Sequence, residues 1–463
     1  MLATVPSPAC VTWLPLTPQP FGFPHLSSLL FGTTSPSHET FRFLVADLDM
    51  ETTHSTCTSD AMVDNLPPEV RHELLTTLDL SSLRNVVHAS PVFYRQYVLE
   101  RRSILSLCLE RTLGRTVLDA YWVYQTARSS KFPSITNDET ISNFRQAYMH
   151  QRASGSYSIL RKSVTENLAV GIAAFHYSTV DPIMQLYIRH VLEVLDEQTG
   201  GIVGQEPLSQ VEQARLIRGL YRFQLCCNLF TMANFPESST LSSNGRTMRI
   251  LTDYISLLEP WEIEEMGCIY SFANERFERV FEAVWRCTAG DGAKTRPRKV
   301  PDPEDGYDLG DTAIRTTLLK STISQGLPIL HTILTRDDEY LSVLIGSSVV
   351  WFGGSFLKDA ILSKAAQKRR HREDAASRDD NQKRRYHMLF LGDSELCPPL
   401  AWTTLWNESY SKLYGDYIPD EIRHWGYVMW DAARLETVGA ARLLERQWKE
   451  TWADHDPRDE MLD

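Results

Sequence analysis

The sequence predicts a mainly α protein, with a small trihelical module near the N-terminus followed by a larger, irregular α-helical body. Three observations carry that expectation. From residue 64 onward, apolar residues recur at spacings of three and four. Helix-start signals precede several of those runs. Sustained apolar–polar alternation is rare, and no Asn-Gly or Asp-Gly turn joins two strand-like stretches.

Composition bounds the rest. The chain has 463 residues, room for two or three folded units at about 150 residues each. Lys and Arg total 47 against 59 Asp and Glu, a formal charge of −12, which disfavours nucleic acid as a partner because a phosphate backbone would be repelled. Eight cysteines without any CxxC pair make no disulfide framework and point to a reducing, cytoplasmic or nuclear setting.

Residues 1–62 read as a disordered N-terminal segment. Positions 1–38 hold no charged residue and seven prolines, which fits neither a signal peptide nor a membrane helix. Leu341 to Leu357 is a second uncharged run. With three Gly and four Ser it reads as buried core, so no membrane partner is expected.

The module is expected over 63–110. Pro67 and Pro68 fit only at a helix start, and Glu69 adds a carboxylate to the first turn. Val70, Leu74, Leu75 and Leu78 then share a face. Asp79 is the expected N-cap of a second helix carrying Leu80, Leu83, Val86 and Val87. Ser90-Pro91 opens a third, through Phe93, Tyr97, Ile104 and Cys108 to Gly114. A unit this small cannot bury all its own leucines, so the rest of the chain or another protein must cover them.

A helical body is expected over 111–290. Ser209-x-x-Glu212 has capping-box spacing, followed by the stripe Leu216, Leu220, Phe223, Cys227 and Phe230. Pro260 with Glu262, Glu264 and Glu265 starts another helix, whose acids would complement the helix dipole. Met266, Ile269, Ala273, Phe277, Val280 and Val284 continue it on one face. Residues 291–311, basic and then acidic, read as a charged linker or loop. A helical segment over 312–363, a charged loop over 364–386 and a C-terminal helical segment with an acidic tail over 387–463 complete the chain. The loop has nine basic and four acidic side chains in the 22 positions 364–385. Trp425, Trp430, Trp448 and Trp452 are expected to pack helices.

The pattern Leu66-Pro67-x-Glu69-Val70, Leu74-Leu75, Leu78-Asp79-Leu80, Leu83, Val86-Val87 and Ser90 resembles the F-box. The form it resembles is that of filamentous-fungal proteins, with Ser90-Pro91-Val92-Phe93-Tyr94 opening the third helix. Ala214 to Phe230, Glu259 to Phe272 and Trp425 to Leu435 are similar to segments that recur in those proteins. The resemblance implies docking on the Skp-type adaptor of a cullin ubiquitin ligase through Leu66, Pro67, Val70, Leu74, Leu78, Leu80, Leu83 and Val87. The body would then present a protein substrate, whose identity the sequence does not give. This chain would supply proximity and no chemistry of its own, so neither a catalytic residue nor a cofactor is expected. The alternative is an F-box-like scaffold with no role in ubiquitination. No leucine-rich, WD-type or kelch repeat marks a substrate reader.

Other motifs are weaker. Lys368-Arg369-Arg370 and Lys383-Arg384-Arg385 have bipartite import spacing, yet read more simply as a solvated loop. His54-x-x-Cys57 lacks a second ligand pair, so no metal site is expected. Asp337-Asp338-Glu339 superficially resembles the aspartate-rich helix of terpenoid synthases but has Leu341 where the last acid belongs. A helical enzyme is therefore the minor alternative.

Overall fold

The computed structural model describes residues 65–127, 138–153, 164–200, 206–234, 251, 253–288, 311–336, 360–361, 388–408, 413–453 and 455–459. Of these, 78% are helical and none is in a strand, so the expected mainly α class holds. The disordered segment, the uncharged run, the import-type pair, the His54 and Asp337 motifs and nearly all of both charged loops lie outside the described residues.

The front of the chain forms α1 (Pro68–Thr76), α2 (Leu80–Ala89), α3 (Pro91–Leu99) and α4 (Arg101–Leu113). Its caps are the anticipated ones. The Asp79 carboxylate accepts from the Ser82 N–H at 2.6 Å, and Ser90 Oγ accepts from the Phe93 N–H with Pro91 at the first helical position. The expected third helix is in fact two. Glu100 leaves helical geometry at φ −123°, ψ 25°, where its carboxylate meets His72 Nδ1 and accepts from Gln96 Nε2 at 3.0 Å. The bend lets α4 pack on α1 and α2 as well as on the body. Gly114, at φ 52°, closes α4, so the boundary set at residue 110 falls inside a helix.

The body begins with α5 (Val117–Ala127), α6 (Asp138–Ala153) and α7 (Glu166–Phe175). A π-helical turn, His176–Val180, joins α7 to α8 (Asp181–Thr199) without a break. At the centre lie α9 (Gln210–Asn234) and α10 (Pro260–Thr288), packed on each other and flanked by α5, α11 (Thr312–Ile323) and α12 (Leu327–Thr335). The C-terminal part adds α13 (Leu400–Leu405), α14 (Asp420–His424), α15 (Ala432–Thr437) and α16 (Ala440–Thr451). Asp311, assigned to the linker, caps α11 by accepting from the Ala313 N–H at 2.8 Å. Among the described residues no helix is long and apolar enough to cross a membrane.

Sequence reading gave α9 one apolar stripe, but from Arg215 to Phe230 it is buried all round. The opposite face is charged. Arg218 donates to both Glu265 oxygens, from Nε at 2.8 Å and from Nη2 at 2.5 Å. Arg222 lies 2.9 Å from Glu262 and 3.2 Å from Asp119. Arg152 of α6 donates to Glu262 at 2.7 Å. The three acids expected to complement the α10 dipole are thus buried ion-pair partners: Glu264 accepts from Arg423 Nε at 2.8 Å and from the Gly415 N–H at 2.7 Å. The Ser209–Glu212 capping box forms as expected, its two bonds 3.2 and 2.9 Å long, and Glu212 also holds Arg434 at 2.7 Å.

Burial of these groups is tolerable because each charge has an opposite partner and further hydrogen bonds. Arg218 and Glu265 thereby join residues 214–230 to residues 259–272. Arg215 adds residues 425–435 by donating to the Trp430 carbonyl at 2.8 Å. Trp425, Trp430 and Trp448 are core, and Trp452 is half-buried against it.

Candidate functional site

The expected docking residues divide into three groups. Pro67 and Val70 are exposed, Val70 at 45%, on the first turn of α1 and just before it. Leu66 is half-buried beside them, and Leu74 and Leu78 are half-buried against the core. Leu80, Leu83 and Val87, between 1% and 4% exposed, are core residues of the module itself. These three cannot contact a partner in this conformation. The reason is that α3 and, after the bend at Glu100, α4 both pack on α2, so of the two covers the sequence left open, the chain itself supplies this one. What remains open is one edge, Leu66, Pro67 and Val70, with Leu74 and Leu78 behind it.

That edge stands on a well-fixed base. Leu75 is fully buried, and its carbonyl accepts from Cys108 Sγ at 3.2 Å. Burial pushes the Cys108 thiol up to about 12, more than the nearby Arg111 can offset, so it stays a protonated donor. The Leu80 N–H, exposed by the start of α2, donates to Thr112 Oγ1 at 2.9 Å. Burial likewise raises the Tyr97 phenol to about 12 against the pull of Arg101, whose guanidinium lies 5.5 Å over its ring.

Besides the packing of α4 on α5 and α7, polar contacts tie the module to the body, among them Arg101 to Glu166 at 3.3 Å and Arg84 over the Tyr177 ring at 5.6 Å. The second falls on the π-helical turn. Leu99 and Val98, which sequence reading did not single out, are 81% and 40% exposed at the end of α3. Their signal lies in the sequence, since both fall off the Phe93–Tyr97 face that packs inward.

Among the described residues no group of three or more His, Cys, Asp or Glu side chains is placed to hold a metal ion. The histidines that depart from their ordinary range do so downward. Burial is the main cause at His88, with Arg84 adding to it, and again at His331, with Arg336 adding. What the module edge can do chemically is bury apolar surface. Comparison with family models, curated proteins and solved structures gave no match.

Proposed function

We propose that the chain is a non-catalytic recruiting subunit: the α1–α4 module docks on the Skp-type adaptor of a cullin ubiquitin ligase, and the body presents a protein substrate. The observation that carries this reading is the open apolar edge Leu66, Pro67 and Val70 on a capped helical module. Its caps at Asp79 and Ser90 are the ones the sequence pattern places there. Docking through so few side chains is consistent with interfaces in which a small central cluster provides most of the binding energy. In that assembly a ubiquitin-conjugating enzyme performs the chemistry, and this chain raises the effective concentration of substrate at the thioester.

The test is co-purification of the full chain with a purified Skp-type adaptor. Wild type is expected to bind at about 10 μM adaptor or below. Val70→Asp combined with Leu66→Asp is expected to weaken binding at least about tenfold, the effect of burying an unpaired charge. Val70 is exposed and Leu66 only half-buried, so circular dichroism of the variant should match wild type. Wild type that fails to bind at that concentration sinks the ligase reading.

One observation favours a second reading, the scaffold without ubiquitination. Leu80, Leu83 and Val87 are already covered within the chain, and α4 runs on into the body. Under this reading the module binds the adaptor, or only its own body, without promoting ubiquitination.

A further inference from the structure

The turn between α1 and α2 carries Leu78, with Leu74 in the last turn of α1 before it. Most of the carbonyls that end α1 are satisfied locally. The Thr77 N–H donates to the Glu73 and Leu74 carbonyls at 3.1 and 3.2 Å, and the Thr76 and Thr77 hydroxyls donate to the same two at 2.8 and 2.7 Å. The Leu75 carbonyl differs. The Leu78 N–H reaches it at 3.4 Å, and Cys108 Sγ of α4 donates to it at 3.2 Å.

The start of α2 shows the same division. The Asp79 carboxylate takes the Ser82 N–H at 2.6 Å, so the N–H of Leu80, the first residue of α2 and 1% exposed, needs another acceptor. Thr112 Oγ1 of α4 supplies it at 2.9 Å. That acceptor is oriented, because the same hydroxyl gives its proton to the Cys108 carbonyl at 2.8 Å and so turns its lone pairs elsewhere. Cys108 and Thr112 are four residues apart and share a face of α4. One turn of α4 therefore pins both ends of the corner, the Leu75 carbonyl and the Leu80 N–H, with Leu78 between them. The same helix packs on α5 and α7, so the corner is held from the body. A buried N–H that loses its acceptor has given up hydration without compensation. The chain then shifts to find a new partner, and Leu78, two residues before Leu80, shifts with it.

We propose that Thr112 is a positioning residue for the docking edge: its hydroxyl fixes the α1–α2 corner and thereby places Leu78 for contact with the adaptor. Thr112 acts through Leu80 and Leu78, and it lies well beyond the Leu66–Ser90 pattern from which docking was inferred. The proposal rests on the reading that the module docks on a Skp-type adaptor.

The test measures adaptor affinity of the full chain together with amide exchange at Leu80. Thr112→Val keeps the shape of the side chain and removes only the hydroxyl. It is expected to speed exchange of the Leu80 N–H and to weaken adaptor binding at least about tenfold, the effect of one lost buried bond. Thr112→Ser, which keeps the acceptor, is expected to match wild type in both measurements. Leu78→Ala separates positioning from a general loss of structure. Because Thr112 acts through Leu78, Thr112→Val added to Leu78→Ala should weaken binding no further than Leu78→Ala alone, whereas a loss of folded module would add to it. With wild type binding the adaptor, three results each overturn this proposal alone: Thr112→Val binding as wild type does, Leu80 exchange unchanged by it, or additive losses with Leu78→Ala. Wild type that does not bind the adaptor overturns the ligase reading and this proposal with it.

Discussion

The imidazole of His176 lies in the π-helical turn between α7 and α8, stacked on the Tyr221 ring with centroids 6.1 Å apart and planes 4° from parallel. Burial lowers it from 6.5 to about 4, against a weaker upward pull from Asp181. Because its folded value is depressed, the unfolded chain binds the extra proton first. Stability is then fully present above about pH 6.5 and lost as pH falls toward 4. Between pH 7 and pH 5 this one group should remove about 2 kcal/mol. Urea titrations at both pH values are expected to show that loss for wild type and a much smaller one for His176→Phe, which keeps a ring on Tyr221. Equal losses in the two proteins would show that His176 is not the buried base. Glu262 works in a lower window. Burial alone would raise it, but Arg222, Arg152 and Arg218 hold it well below the usual carboxylate range, so its contribution is lost only below about pH 4.5.

At the scale of elements, α9 and α10 are held by charge as much as by apolar packing. Arg218 and Glu265, 5% and 0% exposed, form a two-bond pair. Removing one partner leaves the other charged and buried. Arg218→Met alone is therefore expected to cost about 3–5 kcal/mol, and Arg218→Met with Glu265→Leu distinctly less. Denaturation midpoints of wild type, both single variants and the double variant measure the coupling. Additive losses would mean that the pair is not an energetic unit. Such pairing was only half legible in the sequence. The caps at Asp79, Ser90 and Ser209 were readable because each is a local event, a side chain reaching an N–H three residues on. Arg215, Arg218 and Arg222 do recur at helical spacing, but nothing local says whether that face meets water or Glu262 and Glu265 some forty residues away. The bend at Glu100 was hidden for the same reason, since it depends on His72 and Gln96 closing on one carboxylate. The apolar residues of the module were legible as composition, whereas their division into open Val70 and covered Leu83 depended on where α3 and α4 pack.

For the whole molecule, that return path makes the module a part of the body rather than an attachment to it. α4 packs on α1 and α2 and also on α5 and α7, with Ile104, Leu105, Cys108 and Leu109 all at most 4% exposed. A fragment of residues 64–114 would keep its caps and the Leu75, Leu83 and Val87 core but expose the surface of α4 that α5 and α7 now cover. At about 25 cal/mol per Å² of apolar area, a unit of about 50 residues has no reserve to lose such a face, because small domains are marginal even when complete. The fragment is expected to be helical yet to melt without a sharp transition, whereas the full chain melts cooperatively. Adaptor added to the fragment should restore only partial order, because the edge at Leu66 and Val70 and the exposed face of α4 lie on different helices. Calorimetry of the fragment, alone and with adaptor, is the measurement. A sharp transition in the isolated fragment would make the module an independent domain and remove the body from any part in shaping the apolar edge. If the fragment fails to melt cooperatively, module and body form one unit joined through α4, the fixed relation that the proposed positioning of substrate by proximity would require.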